Sequence, residues 1–317
     1  MTLHTLAPLR VGVVGAGRVG AVLGAALARS GHRVVAATAV SSASRDRAAR
    51  LLPGAALLPA DEVIAGVDLV LLAVPDDTLA ALVRGLAESG TFQPGQIVVH
   101  TSGAHGLAVL QPAADRGALP LALHPVMTLA GRPEDVHRLA GVPFGVTANE
   151  EHRAVAETLV LEMGGEPVWV AESARTLYHA ALVVGSNHLV TLVAEARDLL
   201  RTAGVEDPAR LLAPLLSAAL DNSLRYGDSA LTGPVSRGDV GTVRRHLRTL
   251  VEQAPGSVAS YVAMARRTTQ RALAAGRLKR HEAVPLLDLL ADRPPSSGAS
   301  DPATDPATGP AATHVAS

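Results

Sequence analysis

The chain has 317 residues, 48% of them hydrophobic, and a formal net charge of −1 at pH 7. This length fits about two globular domains, and so small a charge gives no electrostatic reason to expect nucleic acid or an anionic membrane as a partner. The absence of cysteine excludes disulfides, thiolate catalysis and cysteine-ligated metals. Lys279 is the only lysine, so Schiff-base chemistry has almost no support.

The first half of the chain alternates predicted strands with predicted helices. Apolar runs predict strands at 10–14, 33–39, 68–74, 96–100, 119–124, 144–147 and 167–170. Helical patterns lie between them at 18–30, 44–52, 61–65, 77–89 and 150–163. The run D-L-V-L-L-A-V at 68–74 is continuously apolar, as expected for a parallel strand covered on both faces. The alternation predicts an α/β domain at 8–170, built on a doubly wound (Rossmann), mostly parallel sheet.

The second half shows helical patterns and no strand signal. Helices are predicted at 173–203, 207–226, 240–253, 255–275 and 279–291, with glycines or prolines between them. An all-α domain at 171–292 is therefore expected to follow the α/β domain. Residues 293–317 form a Pro/Ala/Ser/Thr tail with few apolar side chains to bury, and we predict that this tail is disordered.

No segment is expected to cross a membrane. Val11–Ala28 is apolar, but Gly15, Gly17 and Arg18 interrupt it and only Arg10 provides a basic residue before it, which does not fit a signal peptide. Elsewhere no uninterrupted run reaches about 18 apolar residues. These observations predict a soluble, cytoplasmic protein.

The first strand runs into a glycine-rich turn, V-G-V-V-G-A-G-R-V-G at 11–20. Gly15 permits a tight turn, Gly17 lets the backbone approach a pyrophosphate, and Gly20 lets the next helix pack close to the sheet. A Gly-rich turn in an Ala/Gly-biased chain is the alternative. The predicted dinucleotide-binding residues here are Gly15, Ala16, Gly17, Arg18, Val19 and Gly20.

The end of the second strand favours NADP over NAD as the cofactor. An NAD site usually places a carboxylate there, but none occurs before Asp46. Ser41, Ser42 and Arg45 supply hydroxyls and a guanidinium that suit a 2′-phosphate. The alternative is a Ser-rich helix cap with Ser44 at the N-cap position.

Two further strand ends are expected to reach the cofactor, because ligands bind at the carboxyl ends of such strands. Val74, Pro75 and Asp76 follow one strand, and Thr101 follows the next. The alternative for the first is that Pro75 ends the strand and Asp77 caps a helix.

Six motifs together resemble the DUF2520 group of bacterial proteins, which join a Rossmann-like domain to a helical domain of unassigned function. They are G-A-G-R-V-G, V-P-D-D, H-T-S-G-A-H-G, L-H-P-V, Y-H-A-A-L-V-V-G-S-N and L-T-G-P-V-S-R-G-D, starting at 15, 74, 100, 123, 178 and 231. The resemblance covers roughly residues 8–290.

More distantly, the chain is similar to pyrroline-5-carboxylate reductase, ketopantoate reductase and the β-hydroxyacid dehydrogenases. This similarity implies an NADP-dependent reductase that binds a small substrate between its domains and forms a homodimer through the helical domain. Several of these enzymes use a lysine on the first long helix as proton donor. This chain has no lysine there, and Arg175, His179 and Asn187 are the available substitutes.

His179 is the first candidate for the proton donor, because the pKa of histidine suits proton transfer near neutrality. Asn187 or Ser186 is the candidate ligand for the substrate or for a developing oxyanion. Asn187 is eight residues from His179, about 80° round the predicted helix. The alternative is a structural histidine between two helices.

His124 is the second candidate acid or substrate ligand. It ends a strand and is held extended by Pro125. Ser102, after the preceding strand, is a candidate substrate ligand, with Gly103 and Gly106 allowing close backbone approach. A set of capped turns is the alternative.

Thr232 and Arg237 are candidate carboxylate ligands by analogy with a substrate-binding loop of the related imine reductases. Arg237 suits bidentate pairing. The alternative is a helix–helix connector in which Asp239 caps the next helix.

These observations predict an NADPH-dependent oxidoreductase that transfers a hydride to a small 2-oxo acid, ketopantoate-like, between two domains. A cyclic imine such as a pyrroline carboxylate is the nearest alternative substrate. A protein that binds NADP without turnover and responds to redox state is a third possibility. No HExxH or other ligand spacing supports a metal site.

Overall fold

The computed structural model of the chain describes residues 6–291, so the prediction for 293–317 lies outside the described residues. Eight strands form one sheet: β1 (Arg10–Val14), β2 (Arg33–Ala37), β3 (Ala56–Leu57), β4 (Leu69–Leu72), β5 (Ile97–His100), β6 (Leu119–Pro125), β7 (Pro143–Ala148) and β8 (Glu166–Trp169). Their order is β3-β2-β1-β4-β5-β6-β7-β8. All neighbouring pairs are parallel except β6 and β7. The predicted α/β class with a mostly parallel sheet is confirmed.

Helices cover both faces of this sheet. They are α1 (Arg18–Arg29), α2 (Ser42–Leu51), α3 (Ala60–Ile64), α4 (Asp76–Glu88), α5 (Gln111–Ala114), α6 (Pro133–Arg138) and α7 (Arg153–Glu162). Buried side chains of α1, α2, α6 and α7 pack on one face, and those of α3, α4 and α5 pack on the other. All four residues of β4 are buried, which explains its unbroken apolar sequence.

The antiparallel pairing of β6 with β7 sets the residues that face each other near the carboxyl end of β6. In this register His124 lies opposite Gly145, and Pro125 lies opposite Phe144. Phe144 is fully buried, whereas His124 is only partly buried. The register therefore places an imidazole beside a position that has no side chain.

The single helix predicted at 173–203 is two helices, α8 (Arg175–Gly185) and α9 (Asn187–Thr202). Ser186 interrupts them with φ −119°, far from the helical value of about −63°. The prediction of one continuous helix was therefore wrong at this position. Helical hydrogen bonds nevertheless continue on both sides of it, since the Ser186 amide donates to the carbonyl of Leu182 and the Ser186 carbonyl accepts from the amide of Val190.

Contacts divide the chain into two compact units, the first ending at Val190 and the second beginning at Thr191. The first unit thus includes α8, which lies beyond the predicted boundary at residue 170. The second unit contains the rest of α9 and the helices α10 (Pro208–Tyr226), α11 (Gly233–Ser236), α12 (Val240–Gln253), α13 (Val258–Ala274) and α14 (Arg280–Leu289). Its core consists of apolar side chains mainly from α12, α13 and α14.

The stretch Glu172–Thr202 has the length and apolar composition of a candidate membrane span, with a mean hydropathy of 1.4. Length and composition alone are weak evidence for such a span. The most apolar part of this stretch is not buried, and Leu177 and Val190 are among its exposed side chains. The absence of a membrane partner stays a prediction.

Candidate functional site

The turn between β1 and α1 has the geometry that its three glycines allow. Gly15 has φ +101°, and a Cβ there would lie 2.5 Å from the carbonyl oxygen of Ala73. A Cβ on Gly20 would lie 2.1 Å from the carbonyl oxygen of Gly15. Helix α1 can therefore pack this close to the turn only because residue 20 has no side chain. A Cβ on Gly17 would meet nothing closer than 4.0 Å, which leaves open space before the helix.

Thr38, just after β2, fixes this turn. Its Oγ1 accepts a 2.7 Å hydrogen bond from the amide of Gly15, and its carbonyl oxygen accepts one of 2.8 Å from the amide of Ala16. Thr38 was not among the residues predicted from the sequence. A β-branched hydroxyl residue at the end of the second strand was the available signal.

The start of α1 fits a bound pyrophosphate. Gly17 is its N-cap and has no side chain to bond the first amides, and its first turn, which contains Arg18, Val19 and Gly20, carries no acid. Uncapped amides and the helix dipole favour an anion at this end. That these residues bind the phosphates of a dinucleotide stays a prediction.

Arg47 of α2 reaches the same region, although the sequence did not indicate it. A Cβ on Gly131 would lie 2.5 Å from Cδ of Arg47 and 3.2 Å from Cα of Arg18, so the three positions are adjacent. Nε of Arg47 is buried without a hydrogen-bond partner. An unpaired buried donor near the start of α1 is a further feature that suits an anionic group.

The end of β2 carries the predicted serines, but the N-cap of α2 is Ser41 and not Ser44. Oγ of Ser41 accepts a hydrogen bond from the amide of Ser44, while Ser44 is buried and donates to the carbonyl of Ser41. Ser42 and Arg45 are exposed, and Arg45 donates to the carbonyl of Val40. The capping alternative thus holds for Ser41, and Ser42 and Arg45 remain accessible to a ligand.

The ends of β4 and β5 place the remaining predicted cofactor residues at the carboxyl edge of the sheet. Val74 is partly buried, Pro75 is the N-cap of α4, and Asp76 rather than Asp77 begins that helix. The amide of Thr101 donates to the carbonyl of Leu72 and continues the pairing of the two strands.

Hydrogen bonds within the turn after β5 hold it in place. Nε2 of the fully buried His100 lies 2.8 Å from the carbonyl oxygen of Gly106, and its Nδ1 accepts from the amide of Ser102. Oγ of Ser102 accepts from the amides of Ala104 and His105. Burial lowers the pKa of His100 to about 4, so it is neutral at pH 7. Ser102 therefore caps a turn, which is the alternative considered for it.

A pocket of about 380 Å³ lies at the end of β6 and beside α8. It brings together His124, His179, Ser186 and Asn187, which the sequence proposed as a catalytic and substrate-binding group. The other lining residues are Pro125, Val126, Met127, Thr128, Ala181, Leu182, Val183 and Gly185. None of its lining residues is an acid, an arginine or a lysine.

His124 is paired with Tyr178, which the sequence did not indicate as a site residue. Its Nδ1 lies 2.9 Å from the Tyr178 hydroxyl, and the two rings meet edge to face. The Tyr178 oxygen packs against the backbone of Gly145, where a Cβ would lie 2.3 Å from that oxygen. Burial raises the pKa of Tyr178. The phenol is therefore protonated at pH 7 and adjacent to an imidazole.

Burial, and then the charge of Arg175, lowers the pKa of His124 to about 4. Its ring meets that of His179 edge to face, with centroids 6.0 Å apart. Gly103 makes room for both rings, because a Cβ there would lie 2.7 Å from Cδ2 of His179. The two predicted histidines are thus neighbours, and His124 is the one with a hydroxyl partner.

Thr232 and Arg237 lie in the second unit. Thr232 is the N-cap residue of α11, and Arg237 follows the last residue of that helix. Asp239 accepts a hydrogen bond from the amide of Thr242 and caps α12, as the connector alternative requires. Their role as carboxylate ligands stays a prediction.

The fold and the turn at Gly15 define a Rossmann-like domain followed by a helical one. Residues 4–125 match the Rossmann-like domain family, and residues 142–268 match the domain of unknown function DUF2520. The chain therefore joins a Rossmann-like domain to a DUF2520 domain, which confirms the resemblance carried by its motifs.

One curated relative is the glycerol-3-phosphate dehydrogenase [NAD(P)+] of Azorhizobium caulinodans, 31% identical over 222 residues. The match covers 67% of this chain and 64% of that protein, so the chain spans under two thirds of the relative's length.

Two solved structures share the fold. A Bacteroides fragilis protein provisionally named an NADP oxidoreductase has a TM-score of 0.68 at 23% identity, covering 82% of this chain and 98% of that one. An imine reductase from Myxococcus stipitatus in complex with NADP+ has a TM-score of 0.59 at 21% identity, covering 88% and 100%. At these identities the likeness establishes the fold.

Proposed function

We propose that the protein is an NADP-dependent oxidoreductase that reduces a small carbonyl or imine compound beside the His124–Tyr178 pair. The observation that carries this proposal is a phenol–imidazole pair at a pocket on the carboxyl end of β6, in the same unit as a turn that suits a dinucleotide. The NAD(P)+ dependence in the name of the Azorhizobium relative is consistent with it.

A reduced nicotinamide, when bound, supplies a hydride, and the chain must supply the proton. The Tyr178 hydroxyl lies 2.9 Å from Nδ1 of His124, and in the proposed arrangement the phenol donates its hydrogen to that nitrogen. That arrangement leaves the proton of the neutral imidazole on Nε2. His124 then donates from Nε2 to the reduced oxygen or nitrogen, and Tyr178 replaces the lost proton through Nδ1.

The preference for NADP over NAD rests on the end of β2. Ser42 and Arg45 are exposed there, and no carboxylate lies between β2 and Asp46 to bind a ribose hydroxyl. Arg47, with its unpaired Nε, adds a second guanidinium on the same helix. A 2′-phosphate gives these donors a partner.

Two substrate classes fit the site differently. A 2-oxo acid needs a cation for its carboxylate, and the residues that line the pocket at His124 include neither arginine nor lysine. Arg237 is the candidate cation in the sequence. A neutral imine has no such need, and the fold is shared with proteins named imine reductases.

A homodimer through the helical part is also proposed. Large apolar side chains are exposed along α8, α9 and α10, which is unusual for a surface that stays in water. They include Leu177, Val184, Leu189, Val190, Leu211, Leu215, Leu220 and Leu224. Light scattering across a protein concentration series tests this part: a monomer at all concentrations contradicts it.

The proposal is tested by cofactor titration followed by turnover. NADPH and NADH are titrated by fluorescence, and NADPH oxidation is then followed with 2-oxo acids and with cyclic imines. We expect tighter binding of NADPH and turnover of at least one class. Turnover of 2-oxo acids that Arg237→Gln abolishes, with imine turnover unchanged, identifies the acid as the substrate class. Tight NADPH binding without turnover of any compound indicates the non-catalytic alternative and contradicts the proposal.

A further inference from the structure

Arg175, the first residue of α8, is a buried cation without a counter-ion in contact. Only 1% of its surface is exposed. Nη1 donates to the carbonyl oxygen of Gly145 at 3.3 Å, whereas Nε and Nη2 are buried with no hydrogen-bond partner. A buried charge normally requires pairing, because leaving water is costly for an ion.

The nearby acids do not pair with Arg175. Glu172 precedes it in the chain, but both carboxylate oxygens of Glu172 accept hydrogen bonds, from the amides of Leu107 and Ala108 at 2.7 and 3.1 Å. Asp76 of α4 acts only at longer range, where it raises the pKa of His100 and His124 slightly against the larger effect of burial. The positive charge thus has no carboxylate in contact.

The histidines around Arg175 also carry no compensating charge. His100 on β5 and His124 on β6 each have a pKa of about 4, lowered by burial and by Arg175. His105, after β5, also lowers the pKa of His100, and His179 on α8 also lowers the pKa of His124. Protonation of any of them would add positive charge, so none can serve as the partner.

Among the described neighbours of Arg175, the phenol of Tyr178 is the group that becomes negative by losing a proton. Cζ of Arg175 lies 5.9 Å from the centre of the Tyr178 ring. Both side chains meet at Gly145, since its carbonyl oxygen accepts from Arg175 and a Cβ there would lie 2.3 Å from the Tyr178 oxygen. Arg175 opposes the rise that burial causes in the pKa of Tyr178.

We propose that Arg175 is a positioning residue for Tyr178, held unpaired in the core as the counter-charge of the phenolate that forms when Tyr178 gives its proton to His124. This inference rests on the proposed function. As Nε2 of His124 gives its proton to the reduced substrate, the Tyr178 O–H bond breaks and an N–H bond forms at Nδ1. The electron pair stays on the phenol oxygen beside Arg175, and water later returns a proton to it.

The test measures the ionisation of Tyr178 in the whole protein without cofactor or substrate. The chain has three tyrosines, at 178, 226 and 261. Replacing them biosynthetically with 3,5-difluorotyrosine lowers the pH at which they ionise, and ¹⁹F spectra follow each ring. The spectrum of Tyr178→Phe identifies the signal of residue 178.

In Arg175→Met, the titration midpoint of residue 178 is expected to rise by about one to three pH units, as for removal of an opposite charge at this range. Arg175→Lys, which keeps the charge, is expected to restore most of the shift. Arg153→Met is the matched control: it removes a guanidinium 3.7 Å above the ring of Trp169 and is expected to leave residue 178 unchanged.

An unchanged midpoint in Arg175→Met overturns the inference, as does an Arg175→Lys variant that titrates like Arg175→Met. If Arg175→Met does not fold, Arg175→Gln against Arg175→Lys makes the same comparison between a neutral and a charged donor. The readout needs no turnover. A protein that shows the expected shifts but reduces no substrate disproves the proposed function and leaves the Arg175–Tyr178 relation standing.

Discussion

The Tyr178 hydroxyl lies 2.9 Å from Nδ1 of His124, although the two residues are 54 positions apart in the chain. One comes from the first turns of α8 and the other from the end of β6. Their meeting depends on Gly145, whose position opposite His124 has no side chain to displace the phenol. The proposed proton path is therefore a product of strand register and not of local sequence.

Tyr178→Phe is expected to lower kcat about 100- to 10,000-fold, because His124 loses the group that replaces its proton. The Kd for NADPH is expected to stay the same. Tyr261→Phe is a close control, since its hydroxyl also lies 2.9 Å from a histidine Nδ1, that of His246 in the second unit. Steady-state kinetics with the best substrate provides the measurement, and equal losses in both variants would contradict the role of Tyr178.

His124 and His179 are distinguished by replacing each in turn. His124→Gln is expected to lower kcat about 100- to 10,000-fold, because the proton donor is lost. His179→Ala is expected to change KM more than kcat, since this ring packs against His124 and lines the pocket. If His179→Ala causes the larger fall in kcat, His179 is the acid, as the sequence first indicated.

Alanine substitutions of Gly20 and Gly17, compared with a control at Gly85, test the structure of the cofactor turn. Gly20→Ala is expected to reduce the free energy of unfolding by about 1–3 kcal/mol, because the new Cβ overlaps the Gly15 carbonyl. Gly17→Ala has open space, so its main effect is expected on dinucleotide affinity. Gly85→Ala, in the interior of α4 with nothing within 4 Å, is the control and is expected to stabilise by about 0.5–1 kcal/mol. Urea unfolding and NADPH titration measure both quantities.

The free energy of unfolding is expected to fall as the pH is lowered from about 6.5 to about 4. In the folded protein His100 and His124 each have a pKa of about 4, whereas the ordinary value of 6.5 applies to the unfolded chain. Between these two pH values the unfolded chain therefore binds more protons than the folded protein. Above pH 6.5 the effect is absent, and at pH 4 it approaches about 3 kcal/mol for a buried group such as His100. Urea unfolding at pH 7, 5 and 4 measures it. A His124→Gln variant is expected to lose less stability, and an identical slope would argue against the lowered pKa of His124.

The end of β2 is tested by exchanging its charges. Arg45→Gln is expected to weaken NADPH about 10- to 100-fold and leave NADH nearly unchanged, because only NADPH carries the 2′-phosphate. Ser42→Asp is expected to shift preference toward NADH by repelling that phosphate. Arg50→Gln, at the other end of α2, is the control. Equal effects of Arg45→Gln on both cofactors would refute the assignment of NADP.

Regular apolar patterns predicted most of the sheet, because strands buried on both faces have unbroken apolar sequences. β3, with two residues, and α5 and α6, with four and six, are too short to show a period. The break at Ser186 was not predicted, although Gly185 directly precedes it, because the apolar pattern continues on both sides. Gly15, Gly17 and Gly20 were predictable since their chemistry is local, whereas Tyr178 and Arg175 depend on partners from other strands.

The missing side chain at residue 145 has a practical consequence for redesign. Enlarging a substrate pocket usually proceeds by trimming the residues that line it, and position 145 is not among them. Even alanine there would place a Cβ 2.3 Å from the phenol oxygen and push the phenol away from its imidazole. Libraries aimed at new substrates should therefore keep Gly145 and vary apolar residues that line the cavity, such as Met127, Leu182 and Val183.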